Sequence, residues 1–209
     1  MKGQGKMQGG IKERESTFKL TGYTPLLMHN PAQMRQGGGA KTKRIPTPEE
    51  EAEAGLYADT KGLLYLKFVV IRNCCLKGGR NYKVGKMTVG MFLGGCILNE
   101  DLDAPCYLEN AKTGAPLTKN DYEIDTRRAV VQKQGILRSR PKIRDWAARA
   151  TFRVDTSQIG TPQELDTLIL ECLNRGGQFI GIGDYRPERT GPFGRFTAEL
   201  VNGGKPKKP

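Results

Sequence analysis

His29 is the only histidine in the 209-residue chain, and this narrows the chemistry the chain can perform. A Ser-His-Asp or Cys-His arrangement would have to be built on it, yet no nucleophile motif surrounds any Ser or Cys. It is also the one imidazole that could act as general base in RNA cleavage. A loop histidine that contacts nucleic acid, or nothing, is the plainer expectation. The five cysteines (74, 75, 96, 106 and 172) lack CxxC spacing, so a zinc site is not expected, and an odd number of free thiols predicts a reducing cytoplasm. Glu49, Glu50, Glu51 and Glu53 follow Pro48 and read as the acidic front of a short helix rather than as metal ligands. The sequence therefore predicts no catalytic residue, no metal and no cofactor.

The segment from Gly176 to Phe196, GGQFIGIGDYRPERTGPFGRF, sets Gly181, Gly183, Gly191 and Gly194 among Arg186, Arg189 and Arg195. Glycines allow a backbone to approach a phosphate chain, and arginines can fork onto its oxygens. Glycines serving an ordinary helix-to-strand loop are an equal alternative. Two stock phosphate motifs are excluded. After Gly181 and Gly183, a dinucleotide fingerprint needs Gly at 186, where Arg stands. Gly79 and Gly85 are separated by five residues rather than four, and Lys86 precedes Met87, so no P-loop is present.

Charge supplies the main functional signal. Lys and Arg number 34 against 22 Asp and Glu, a formal +12 with pI near 9.6. Such a balance points to nucleic acid. Residues 126–153 hold Arg127, Arg128, Lys133, Arg138, Arg140, Lys142, Arg144, Arg149 and Arg153 against one acid, Asp145. Like charges without counter-ions repel, so this segment is expected to meet a phosphate backbone. Arg35, Lys41, Lys43 and Arg44 form a second group, and Arg72, Lys77, Arg80, Lys83 and Lys86 a third. The tail from Gly203 adds Lys205, Lys207 and Lys208, read as solvated surface. Tyr23, Tyr82, Tyr185, Phe193 and Trp146 are aromatic candidates for base stacking, although Trp146 fits a core position better and no RNA-recognition fingerprint is present.

The elements that must position these groups follow from periodicity. Residues 1–15 read as a flexible polar arm. Thr17–Tyr23 alternates as a strand with Phe18 and Leu20 inward. Residues 29–48 read as a long loop, a type often functional. Residues 66–77 predict a helix through Phe68, Ile71 and Cys75, stopped by Gly78 and Gly79. Met91–Leu98 is expected to lead into a strand, and 99–125 to form turn-rich surface excursions. Arg127–Lys133, a break at Gly135, and Ile136–Arg140 predict a basic hairpin. Trp146–Asp155 alternates most cleanly of all. Thr161, Pro162 and Glu164 then open a helix whose stripe is Leu165, Leu168, Ile169, Cys172 and Leu173, with Gly176 at its C-terminal turn. Arg195–Asn202 is the last strand, with Phe196, Ala198 and Leu200 inward. The predicted order, β-α-β-β-α-β, is the ferredoxin-like α+β arrangement. It occupies 16–202 as a single domain, with insertions at about 29–60 and 99–145 and a basic tail at 203–209. No stretch is apolar enough for a membrane span.

This order, the TPLLM segment Thr24–Met28 after the first strand, and GIGDYRPERTGPFGRF before the last strand resemble the RAMP superfamily. These are ferredoxin-like RNA-binding proteins of CRISPR systems with a C-terminal glycine-rich loop, and the match is nearest to their backbone-forming subunits. The chain is also similar to a group of small phage and prophage proteins with a DTRR…RSRP…W pattern, here Asp125–Arg128, Arg138–Pro141 and Trp146. The resemblance covers most of 16–202. It implies that the loop after the first strand (Met28–Arg44) and the first helix (Arg72–Lys86) hold a guide-RNA backbone. It implies a hairpin thumb at Arg127–Arg140, with Ile136 or Leu137 wedged between bases to leave roughly every sixth nucleotide unpaired. It also implies head-to-tail self-association along the RNA. RNA-slicing members place an Asp in the loop after the first strand. Residues 29–48 contain none, so target cleavage is not expected.

The expected function is therefore a non-catalytic cytoplasmic protein that multimerises along a small single-stranded guide RNA. It would present that RNA for pairing with target RNA or DNA. The expected RNA contacts are Met28, His29, Gln33, Arg35, Lys41, Lys43, Arg44, Arg72, Lys77, Arg80, Lys83, Arg127, Arg128, Lys133, Arg138, Arg140, Arg144, Gly181, Gly183, Arg186, Arg189 and Arg195. The rivals are a phage single-stranded DNA-binding or annealing protein, a guide-processing endoribonuclease using His29, and a virion structural protein. The 2′-hydroxyl separates RNA from DNA binders.

Overall fold

Alternation along Glu13–Gly22 buries Ser16, Phe18 and Leu20 completely, which makes this strand, β1, a central one. The computed structural model describes residues 10–31, 46–131, 134–157 and 161–203. Among them the remaining elements are β2 (Leu26–Leu27), α1 (Pro48–Ala54), β3 (Tyr65–Lys67), α2 (Phe68–Gly78), β4 (Lys83–Val84), β5 (Met87–Thr88) and α3 (Val89–Cys96). They continue with β6 (Pro105–Asn110), β7 (Glu123–Val131), β8 (Gln134–Ile143), β9 (Trp146–Asp155), α4 (Pro162–Phe179), a 3-10 turn at Pro187–Arg189 and β10 (Phe196–Gly203). The fold is mixed α+β. A five-stranded sheet runs in the order β10-β1-β9-β6-β3, with every neighbouring pair antiparallel. A smaller sheet runs β2-β8-β7.

Both long helices lie on one face of the large sheet. Phe18 of β1 meets Phe152 of β9 edge-on at 5.6 Å, and Phe152 meets Phe68 of α2 at 5.1 Å. From the same face of β1, Ser16 donates to Asp166 of α4. The two helices then press together through glycine. A Cβ on Gly78 would fall 2.1 Å from the Cys172 carbonyl oxygen, and one on Gly176 2.5 Å from that of Cys74. The opposite face is polar: the Thr17 and Thr151 hydroxyls lie 2.9 Å apart, and Glu109 takes Lys19 and Arg149. Tyr65 and Tyr107 stand on the same face at its β3/β6 edge, paired across the strands with ring centres 6.3 Å apart.

Several expectations need correction. β1 starts at Glu13, so the arm is shorter than 1–15. Residues 91–98 do not lead into a strand. Residues 91–96 belong to α3, which Thr88 caps by accepting from Met91 N, and Gly90 lets it sit against the Leu76 carbonyl, while Ile97 makes only an isolated bridge to Val154. The strand of the main sheet that follows α2 is instead β6, inside the stretch read as surface excursions, where Cys106 and Leu108 alternate inward. Gly135 does not break the hairpin: it pairs with Val130 within the β7/β8 ladder. Gly176 does not end its helix, which runs to Phe179; its role is the close approach to α2. Leu200 is 41% exposed rather than inward, and the register of β1 against β10 shifts beside it, between Thr17 and Phe18. Trp146 is wholly buried, with Nε1 donating to the Thr24 carbonyl at 2.9 Å. The five cysteines are buried and free. Among the described residues no helix is long and apolar enough to cross a membrane.

Candidate nucleic-acid interface

Three segments far apart in sequence meet in one cleft of about 370 Å³. Met28 and His29 come from the stretch after β2. Asn73, Cys74 and Lys77 come from α2, and Gly181, Gly183, Asp184 and Arg186 from the glycine-rich segment. Tyr57, Leu66, Val70, Ile180 and Ile182 supply apolar walls. Backbone bonds fix the meeting. Asp184 N donates to the Leu27 carbonyl at 2.8 Å, Gly194 N to Pro25 at 2.8 Å, and Met28 N to Pro141 at 3.0 Å. The glycines are required by this packing. Gly183 (φ +79°) has the Leu27 oxygen 2.4 Å from where a Cβ would be, and Gly194 (φ +69°) has the Ile182 oxygen at 1.8 Å.

The cleft is charged but largely self-neutralised. Glu188 accepts from Lys77 at 2.6 Å and from Arg186 at 2.7 Å, and those bonds hold its carboxyl below the usual range. Arg186 also donates to the Gly183 carbonyl at 3.0 Å. Arg140 pairs with Asp184 at 2.5 Å. His29 stands exposed at the mouth, where partial desolvation lowers its pKa. Asp184 and Glu51 pull it up while Arg140 and Arg138 push it down, so the ring is neutral near pH 7. Burial pushes the Cys74 thiol up to about 12, which makes it a wall and not a nucleophile.

The premise that residues 126–153 lack counter-ions is overturned. Other elements supply the acids: Glu51 of α1 takes Arg138 at 2.7 Å, Asp184 takes Arg140, Glu109 takes Arg149 at 3.5 Å and Glu100 takes Arg153 at 3.0 Å. Within the base of the β7/β8 hairpin, Asp125 takes Arg127 at 2.5 Å, and Glu123 takes Lys142 at 2.9 Å and Arg144 at 2.5 Å. These donors depress the Glu123 carboxyl to about 2. Asp145 turns instead to Lys112. Arg128 forms no ion pair among the described residues; its guanidine group lies over Gly135, where any Cβ would strike it. Opposite Arg128 in the ladder, Leu137 is 71% exposed. Ile136 is half-buried.

The third basic group splits. Arg72 turns to the Gly94 carbonyl of α3 at 3.5 Å, Lys77 enters the cleft, and Arg80, Lys83 and Lys86 are exposed around the β4/β5 hairpin with no ion pair among the described residues. Arg189 is exposed on the 3-10 turn, whereas Arg195 is half-buried with its N–H on Thr24 Oγ1 at 2.9 Å. Of the aromatic candidates, Phe193 is buried under the Arg127 guanidinium, 4.9 Å from the ring centre, while Tyr23, Tyr82 and Tyr185 are exposed. Gln33, Arg35, Lys41, Lys43, Arg44 and Lys133 lie outside the described residues, as does the tail beyond Gly203. Sequence reasoning missed Asn73, Tyr57 and Val70 in the cleft, and Arg175 of α4, whose guanidinium stacks 3.7 Å over the Tyr82 ring. The helical period of α2 places Asn73 and Lys77 one turn apart, a signal that was available. Among the described residues no group of three or more His, Cys, Asp or Glu could hold a metal ion. No family model matches the chain, and no curated protein matches it.

Proposed function

We propose that the chain is a ferredoxin-like, RAMP-type protein that binds single-stranded RNA through its backbone, multimerises along it, and presents it for pairing without cutting. The strand order β10-β1-β9-β6, with α2 and α4 on one face, supports the ferredoxin-like reading. The observation that carries the function is the convergence of the segment after β1, helix α2 and the glycine-rich loop in a single cleft. A second support is the outer part of the β7/β8 hairpin, where Arg128, without an ion pair among the described residues, and exposed Leu137 form a cation beside an apolar wedge.

The test is competition between RNA and DNA oligonucleotides of one sequence, with Arg128→Glu as the site variant. Arg138→Glu is a poorer probe, because it would set two carboxylates against each other at Glu51. The expected result is preference for RNA and a loss of about tenfold for Arg128→Glu with an unchanged melting temperature. Equal or stronger binding of DNA would leave the fold and make a single-stranded DNA-binding or annealing protein the better reading.

A further inference from the structure

Three cations that form no ion pair among the described residues gather at one place outside the cleft. The β4/β5 hairpin turns through Gly85 (φ +60°) and Lys86, with glycine first as a two-residue turn of the II′ kind favours. Arg80, Lys83 and Lys86 surround it without acidic partners among the described residues. At its foot Tyr82 is pinned by the bond from Val89 N to its carbonyl, 2.8 Å, and the residue is 44% exposed. The Arg175 guanidinium covers one side of that ring at 3.7 Å. Glu171 stands one turn away on α4, yet Arg175 stacks on the aromatic and forms no ion pair among the described residues. An apolar partner protein would gain nothing from three unpaired cations, whereas a polynucleotide strand supplies a phosphate for each and a flat base for the ring.

We infer that Tyr82, backed by Arg175, is a base-stacking platform for single-stranded RNA, with Arg80, Lys83 and Lys86 holding the adjoining phosphates. The inference rests on the RNA-binding reading and adds a second point of contact, one that reads the flat face of a base without reading its identity. The guanidinium below the ring and the base above it make a three-layer stack, in which a cation under the π system offsets the phosphate charge brought by the strand.

The experiment measures binding of an end-labelled oligouridylate and of the same strand carrying abasic sites, by anisotropy, to the full chain. The wild type is expected to prefer the base-bearing strand. Tyr82→Ala is expected to lose about tenfold on that strand and nothing on the abasic one, while Tyr82→Phe keeps wild-type affinity. Arg175→Gln, which keeps the ring and removes the cation beneath it, is expected to show a smaller loss of the same kind and guards against a folding defect in Tyr82→Ala. Wild-type affinity of Tyr82→Ala and Arg175→Gln for both strands would overturn the platform and leave RNA binding intact. Failure of the wild type to bind either strand would overturn the RNA-binding reading and the platform with it.

Discussion

Replacing Arg80, Lys83 and Lys86 together with Gln lowers affinity for single-stranded RNA by about two orders of magnitude at low salt. It also makes the dependence of log K on log salt shallower by about two units, since each phosphate contact on a single strand contributes roughly 0.7 to the slope. The expectation follows from which cations are already neutralised. Arg127, Arg138, Arg140, Lys142 and Arg144 have carboxylate partners at 2.5–2.9 Å, so binding phosphate there means giving up an existing pair. The hairpin cations give up only water and counter-ions. The same count of neutralised cations at the base of β7/β8, Arg127 and Arg144 with Lys142, is expected to change the slope less. Titrations at three salt concentrations measure both quantities. An unchanged slope in the hairpin variant would remove this surface from the interface.

Asp166→Ala destabilises the fold by about 3–5 kcal/mol, a large part of the stability of a domain this size. Asp166 is buried in α4, and Arg14 of β1 reaches it at 2.7 Å with only 7% of the residue exposed. Ser16 donates to the second carboxylate oxygen and sits 3.4 Å from Arg14 Nε. Truncation therefore strands a guanidinium in the interior and orphans a hydroxyl, and the cost comes from that exposed mismatch rather than from the pair itself. Arg14→Met combined with Asp166→Leu is expected to recover most of the loss, because apolar side chains of similar volume need no partner there. Denaturant unfolding of the single and double variants measures both. A cost below about 1 kcal/mol for Asp166→Ala would mean that the guanidinium reaches water and that the triad does not anchor α4 to the sheet.

Sequence periodicity carried most of the fold where an element obeys one period and keeps its own punctuation. β9 alternates for ten residues, and α4 opens on a complete capping box in which Thr161 and Glu164 exchange bonds. β6 escaped because it is short, holds only Cys106 and Leu108 as inward apolar residues, and lies among turn formers although its place in the sheet is central. α3 escaped because Gly90, Gly94 and Gly95 lower helix propensity, while the reason for Gly90, contact with the Leu76 carbonyl, is tertiary. The site was legible in its parts and not in its electrostatics. Met28, Lys77, Gly183 and Arg186 do share a cleft. A charge count over 28 consecutive residues, however, is blind to Glu51, 87 positions before Arg138, and to Asp184 beyond Arg140. Counter-ions brought in by folding decide which cations remain for a ligand, so the basic surface moves from the segment of highest linear charge to a small hairpin with fewer charges.

The proposed protein array on one small RNA is tested by purifying the full chain with the nucleic acid it carries, digesting with nuclease, and sequencing what is protected. A single small RNA with defined ends, protected at a regular interval along its length, is the expected result. Heterogeneous fragments, or single-stranded DNA in place of RNA, would contradict it.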